Sequence, residues 1–107
     1  MENQHRKIAG YRELSQEEID LMNRIKAKGA ELLQLQAELV DYLDAQKLAK
    51  ERAMINLPAA SAAEEEAEAE YERFFAAEPQ RWAAIGKTDI QTGIMALVRA
   101  VAQPSEC

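Results

Sequence analysis

Arg6, Lys7 and Arg12 place three fixed cations within seven residues, with Gly10 and Tyr11 between them. That grouping suits a nucleotide. Cations meet phosphate, a tyrosine face stacks on a base, and glycine lets backbone approach closely. The same segment also reads as an exposed, solubilising arm whose tyrosine packs on the rest of the chain, since surface charge runs usually carry no site. Lys26 is the second candidate. Ile19, Met22, Lys26, Gly29 and Leu33 follow the three–four spacing of one helix face, and all but the lysine are apolar or glycine. Glycine inside a helix costs about 1 kcal/mol relative to alanine, which fits a position that admits something close. A lysine between Met22 and Gly29 can hold a phosphate at the edge of a groove. Equally, it can snorkel, its stem covering apolar surface.

Other constellations carry less. Gly86-Lys87-Thr88-Asp89 has the look of a phosphate loop, but Arg81 stands where the first glycine of that motif belongs and no strand precedes it. Nucleotide hydrolysis is therefore not expected. Arg81, Lys87, Thr88 and Gln91 share much of one helix side, which would meet an anion where copies converge or else form an ordinary wet face. The single Cys107 and single His5 supply neither a zinc set nor a disulfide, and a Ser–His–Asp triad would have to draw on His5. No metal, cofactor or catalytic residue is expected.

The net charge of −6 taken as a whole disfavours an anionic partner, but its distribution removes the objection. Glu64, Glu65, Glu66, Glu68, Glu70 and Glu72 hold six acids without a base, and outside them thirteen acids face thirteen bases. Such a block repels itself and stays solvated, so it is expected to point away from any ligand pocket. Arg6, Lys7, Arg12 and Lys26 remain to face phosphate.

Positioning these residues falls to helices. Alanine occurs 20 times, valine three times and threonine twice, an all-α composition. Ser15 with Glu18 forms a capping box, and Leu14 with Ile19 occupies the hydrophobic-staple positions. A long helix is predicted from about Gln16 to about Asn56. Leu21, Ile25, Leu32, Leu35, Leu39 and Tyr42 form its packing stripe, and Pro58 stops it. Ser61 is a further cap before the acidic run, and Tyr71, Phe74 and Phe75 fall on a short helix. Pro79 opens a last helix that reaches Ala102, with Trp82 and Ile85 anchoring its start and Ile90, Ile94, Leu97 and Val101 as its apolar face. The expectation is a single domain over 1–107. Its parts are an arm (1–14), a long helix (15–57), an acidic variable connector (58–79) and a C-terminal helix (80–103).

Two amphipathic helices make a thin core, so a long antiparallel helical hairpin assembled as a homo-oligomer is expected. From Ser15 to Lys26 is about 16 Å of helix. One chain's arm would have to fold back for Tyr11 and Lys26 to touch one small ligand, whereas two antiparallel copies bring them together more easily. The longest unbroken apolar run, Ile94–Val98, is far short of a membrane span. No basic-then-apolar leader opens the chain, which reads as cytosolic. A helical adaptor that binds a protein partner through its hairpin face fits the same pattern.

The run HRKIAGYRELSQEEIDLMN, from His5 to Asn23, resembles the opening of a phage family. The closing run resembles it too, from Arg81-Trp82 through Gly86-Lys87-Thr88-Asp89-Ile90-Gln91-Thr92-Gly93 to Met95 and on to Pro104. The family is the small anti-CBASS cyclic-nucleotide sponges, helical-hairpin relatives of the Thoeris sponge proteins. The middle, about 45–80, stands outside the resemblance and is longer than in those members. The resemblance implies no catalysis. It implies a compact homo-hexamer in the cytoplasm of the infected bacterium that sequesters cyclic dinucleotides in sites shared by pairs of protomers, and cyclic trinucleotides in a separate pocket. No DNA, RNA or membrane partner is implied. Tyr11 and Lys26 match the dinucleotide-site pair, with Gly10, Arg12, Met22 and Gly29 beside them. Arg81, Lys87 and Thr88 lie in the block that matches the trinucleotide pocket. Lys87 stands where some relatives have Arg, which forfeits bidentate phosphate geometry.

Overall fold

A computed structural model describes residues 12–105. Three helices follow one another: α1 (Gln16–Ile55), α2 (Ala62–Ala77) and α3 (Pro79–Ala102). No strand occurs among the described residues.

Local chemistry sets the boundaries. Ser15 Oγ accepts from the Glu18 backbone N–H at 3.1 Å, and Glu18 Oε1 accepts from the Ser15 N–H at 2.9 Å, so both halves of the capping box form. Ser61 caps α2 in the same way, accepting from the Glu64 N–H at 3.1 Å. Glu78 closes α2 in the left-handed region (φ 50°) and donates to the Phe75 carbonyl at 3.2 Å. Its own carbonyl then accepts from the Trp82 N–H at 3.1 Å, so one residue ends α2 and caps α3, with Pro79 at the first helical position.

The acidic connector expected at 58–79 is mostly helix. The six clustered glutamates, Glu64 to Glu72, all lie on α2, a helix of 16 residues. Alanine alternates with glutamate there, both are good helix formers, and Ser61 supplies the start.

The chain divides into two compact units. The first joins the chain up to Leu33 with the chain from Thr88 onward. Within it, Arg12 bonds the end of α3 and Gly29 meets Ile94, so early α1 and late α3 run antiparallel. The second unit is Gln34–Lys87. There Gln36 Nε2 donates to the Ala83 carbonyl at 2.9 Å and Gln80 Nε2 donates to Asp44 at 2.6 Å, again antiparallel. Lys50 ties α1 to α2 through Glu70 at 2.8 Å, and its ammonium lies 5.6 Å from the Phe74 ring centroid.

The core lies on a different face of α1 from the expected stripe. Leu43, Phe74 and Ala83 are the buried hydrophobic residues of the described chain, all in the second unit. The inward row of α1 is Gln36, Val40, Leu43, Lys47 and Lys50 there, and Met22, Gly29 and Leu33 in the first unit. Most of the expected stripe is exposed, Leu21 and Leu32 in the first unit and Leu39, Leu35 (59%) and Tyr42 (61%) in the second, while Ile25 is half-buried. On α3 the small Ala83 is buried, while Trp82, expected to anchor the helix, is exposed. The Arg81 guanidinium lies 5.3 Å from the Trp82 ring centroid. Leu97 is likewise exposed, while Ile90, Ile94 and Val101 are half-buried.

Candidate ligand-binding site

In the first unit, α1 and α3 enclose a groove of about 490 Å³. Leu21, Ile25 and Leu32 form one wall and Ile90, Ile94 and Leu97 the other. Gly29 is buried between the helices, and the room it leaves is taken by Ile94. A Cβ built there would overlap Ile94 Cδ1 and stand 2.7 Å from its Cγ1. Arg24 and Lys28, one helical turn apart, line the groove among apolar residues. Neither was singled out from sequence. The signal that could have found them is the three–four spacing Leu21, Arg24, Ile25, Lys28, Leu32, which places two cations on an apolar strip.

Met22 is half-buried on α1, and Lys26 is exposed, with no hydrogen bond or ion pair to the described residues. Tyr11 and Gly10 lie outside the described residues.

Arg12 begins the described chain, and its guanidinium makes four hydrogen bonds. Its Nε donates to the Ala102 carbonyl at 3.1 Å and Nη2 to the Val101 carbonyl at 2.9 Å. Nη1 and Nη2 also fork onto the two carboxylate oxygens of Glu18, at 3.3 and 2.5 Å. This bidentate pair, helped by the Ser15 N–H, holds the Glu18 carboxyl down at about 2. The α3 carbonyls it meets belong to the last turn of that helix, whose acceptors lack intrahelical partners and carry partial negative charge.

Arg81, Lys87 and Thr88 are all exposed on α3. Arg81 pairs with Glu78 at 3.8 Å as well as lying near Trp82. A second cavity, of about 440 Å³ in the second unit, is lined by Lys47, Tyr71, Phe74, Phe75 and Arg81 among others. None of the six clustered glutamates lines either cavity. Glu70 is tied to Lys50 and Arg73 and its carboxyl is held at about 2, chiefly by the Arg73 hydrogen bond and then by Lys50. No cluster of three metal-ligating side chains occurs among the described residues, and none of the described helices is long and apolar enough to cross a membrane.

The sequence from residue 4 to residue 102 matches the model of the Acb2/Tad1 hairpin domain. The chain belongs to the Acb2/Tad1 hairpin family. It is also 61% identical over 108 residues to Anti-CBASS protein 2 of Pseudomonas phage JBD67, covering all of both chains. Both matches run through the middle, 45–80, which was expected to be longer than in the family. The relative's sequence thus has a counterpart to this segment.

Proposed function

We propose that this chain is a non-catalytic sponge that blocks CBASS immunity. It would bind cyclic dinucleotides in the cytoplasm of the infected bacterium and keep them from their effector. Full-length identity of 61% with Anti-CBASS protein 2 carries this reading. The local chemistry agrees with it. Lys26 is exposed on α1, and Tyr11 adjoins Arg12 in sequence. Tyr11 stacks on a base and Lys26 pairs with phosphate, in a site shared by two protomers. Arg81, Lys87 and Thr88 are proposed for a separate cyclic trinucleotide pocket.

The exposed Leu35, Leu39 and Tyr42 support self-association, and a homo-hexamer is the proposed assembly. The same surface suits a helical adaptor for a protein partner, which the following test separates from a sponge. Calorimetry with a panel of cyclic di- and trinucleotides, paired with native mass spectrometry, reads ligand and subunit number together. At least one cyclic dinucleotide is expected to bind and to be recovered intact after heat denaturation. Linear products would identify an enzyme, and silence across the panel would favour the adaptor. Stacking on an aromatic contributes about 1–3 kcal/mol per base, so Tyr11→Ala should weaken binding about 5- to 150-fold. Lys26→Ala should weaken it within a similar range, through a lost charge-assisted bond of about 1.5–3 kcal/mol. Unchanged affinity in both variants would refute the site and spare the function.

A further inference from the structure

We propose that the groove between α1 and α3 receives helix α2 of a second copy of this chain, with the acidic face of α2 against Arg24 and Lys28. Both walls of the groove are apolar, yet these two cations stand among them one helical turn apart. Leu21, Leu32 and Leu97 of the groove are exposed in the isolated chain. Exposed apolar surface rimmed by charge marks a docking face, and a helix laid in a groove is a recurring way of filling one. Charge selects the occupant. Two such grooves set face to face would bring four cations together, which disfavours pairing of like with like. Helix α2 offers the opposite sign. Glu65, Glu68, Glu72 and Phe75 recur at spacings of three and four, so they share one face, and all four are exposed. Among the described residues none pairs with the carboxylates of Glu65, Glu68 and Glu72, whereas Glu70 takes both Lys50 and Arg73.

The two faces match in spacing. Arg24 and Lys28 stand about 6 Å apart along the axis of α1, and Glu68 and Glu72 stand the same distance apart along α2. Two carboxylates can therefore meet two cations at once. Phe75 follows Glu72 by about 4.5 Å. Leu21 precedes Arg24, and Leu32 follows Lys28, by nearly that distance, so the ring meets a leucine of the groove whichever way α2 runs. Phe75 is 69% exposed, and its ring is stacked on Tyr71 with centroids 6.4 Å apart. Burying this ring supplies the apolar part of the contact, and the charges set its register. Within the chain, Lys28 pairs with Glu31 at 3.9 Å, an exposed surface pair that costs little to exchange. The inference goes beyond the sponge reading and requires no nucleotide.

Zero-length carbodiimide cross-linking tests the contact directly, on an equal mixture of unlabelled and heavy-nitrogen-labelled full chain. The expected result is a bond from Lys28 to Glu68 or Glu72 in mixed-isotope peptides, and the carboxylate that reacts fixes the direction of α2. Sedimentation velocity and native mass spectrometry then read assembly without nucleotide. The samples are wild type, Arg24→Glu with Lys28→Glu, Glu68→Lys with Glu72→Lys, and all four changes together. Each double reversal should weaken association on the order of tenfold and move mass to smaller species, and the fourfold swap should recover the wild-type distribution. Cross-links confined to single chains, reversals that leave the masses unchanged, or a swap that recovers nothing overturns the proposal. A hexamer that ignores both reversals leaves the proposed assembly standing and refutes this contact, whereas a wild-type chain that stays monomeric refutes both. Silence across the cyclic-nucleotide panel overturns the sponge reading and leaves this contact as it stands. All four positions are exposed, so circular dichroism should show every variant helical. Should a reversal fail to fold, Arg24→Gln with Lys28→Gln and Glu68→Gln with Glu72→Gln replace it, and unchanged masses in both overturn the contact.

Discussion

Gly29→Ala decides what the glycine of α1 is for. In an open helix interior the change stabilises by about 1 kcal/mol, because alanine loses less backbone freedom on folding. At Gly29 the added methyl overlaps Ile94 Cδ1 and stands 2.7 Å from Cγ1 and 3.6 Å from Cγ2. Rotation about χ2 moves only Cδ1. Clearing Cγ1 needs a change of χ1, and β-branched isoleucine in a helix keeps one strongly preferred χ1. The helices must part or Ile94 must leave its rotamer, at a cost of about 1–3 kcal/mol. The net expectation is destabilisation by about 1 kcal/mol, a fall in Tm of about 4–8 °C for a chain of this size. Thermal melting by circular dichroism reads it. Gly86→Ala is the control: nothing lies within 4 Å of its added Cβ, so it should raise Tm. Adding Ile94→Ala to Gly29→Ala should cost less than the two changes summed, because the contact is shared. A Tm that rises in Gly29→Ala, or strict additivity with Ile94→Ala, would refute the close-approach reasoning.

Other expectations follow from the same contacts. The Glu18 and Glu70 carboxyls are held at about 2 against an ordinary 4.5, so their pairing stabilises the fold above about pH 4.5 and is lost as pH falls toward 2. Melting curves from neutral pH downward should show Tm declining below pH about 4.5, and Glu70→Gln should flatten that decline, whereas an unchanged slope would remove Glu70 from the account. Phe74, the most buried hydrophobic side chain on α2, should cost about 3 kcal/mol on truncation to alanine, read by urea unfolding. Leu35→Glu should leave helix content intact, since this side chain is exposed in the isolated chain, yet shift native mass spectra toward smaller species. A hexamer that survives the change would place the subunit interface elsewhere.

Helix ends were legible because their causes are local. Ser15 with Glu18 and Ser61 with the Glu64 N–H each work within three residues, and Pro79 stands at the first position of α3 as expected. The inward face of α1 was not legible. Apolar residues lie on two faces of that helix, Leu33, Val40 and Leu43 on one and Leu32, Leu35 and Leu39 on the other. Three–four spacing identifies both stripes and cannot choose between them, because the choice belongs to whatever packs opposite. Trp82 differs for a related reason: its size suggests burial, but Ala83, whose carbonyl accepts from Gln36 of α1, takes the buried position.

The candidate site divides in the same way. Residue types alone picked out Tyr11, Lys26 and Gly29, because an aromatic, a lone cation on an apolar face and a helical glycine are each costly or unusual where they stand. Tertiary structure decided what Arg12 and Gly29 touch. Arg12 is a surface cation in sequence and a four-bond clasp between two helix ends in space. Gly29 leaves room, and only the antiparallel register of α1 against α3 assigns that room to Ile94. Local composition sets propensity and caps, but contacts between residues distant in sequence exist only once the chain has folded.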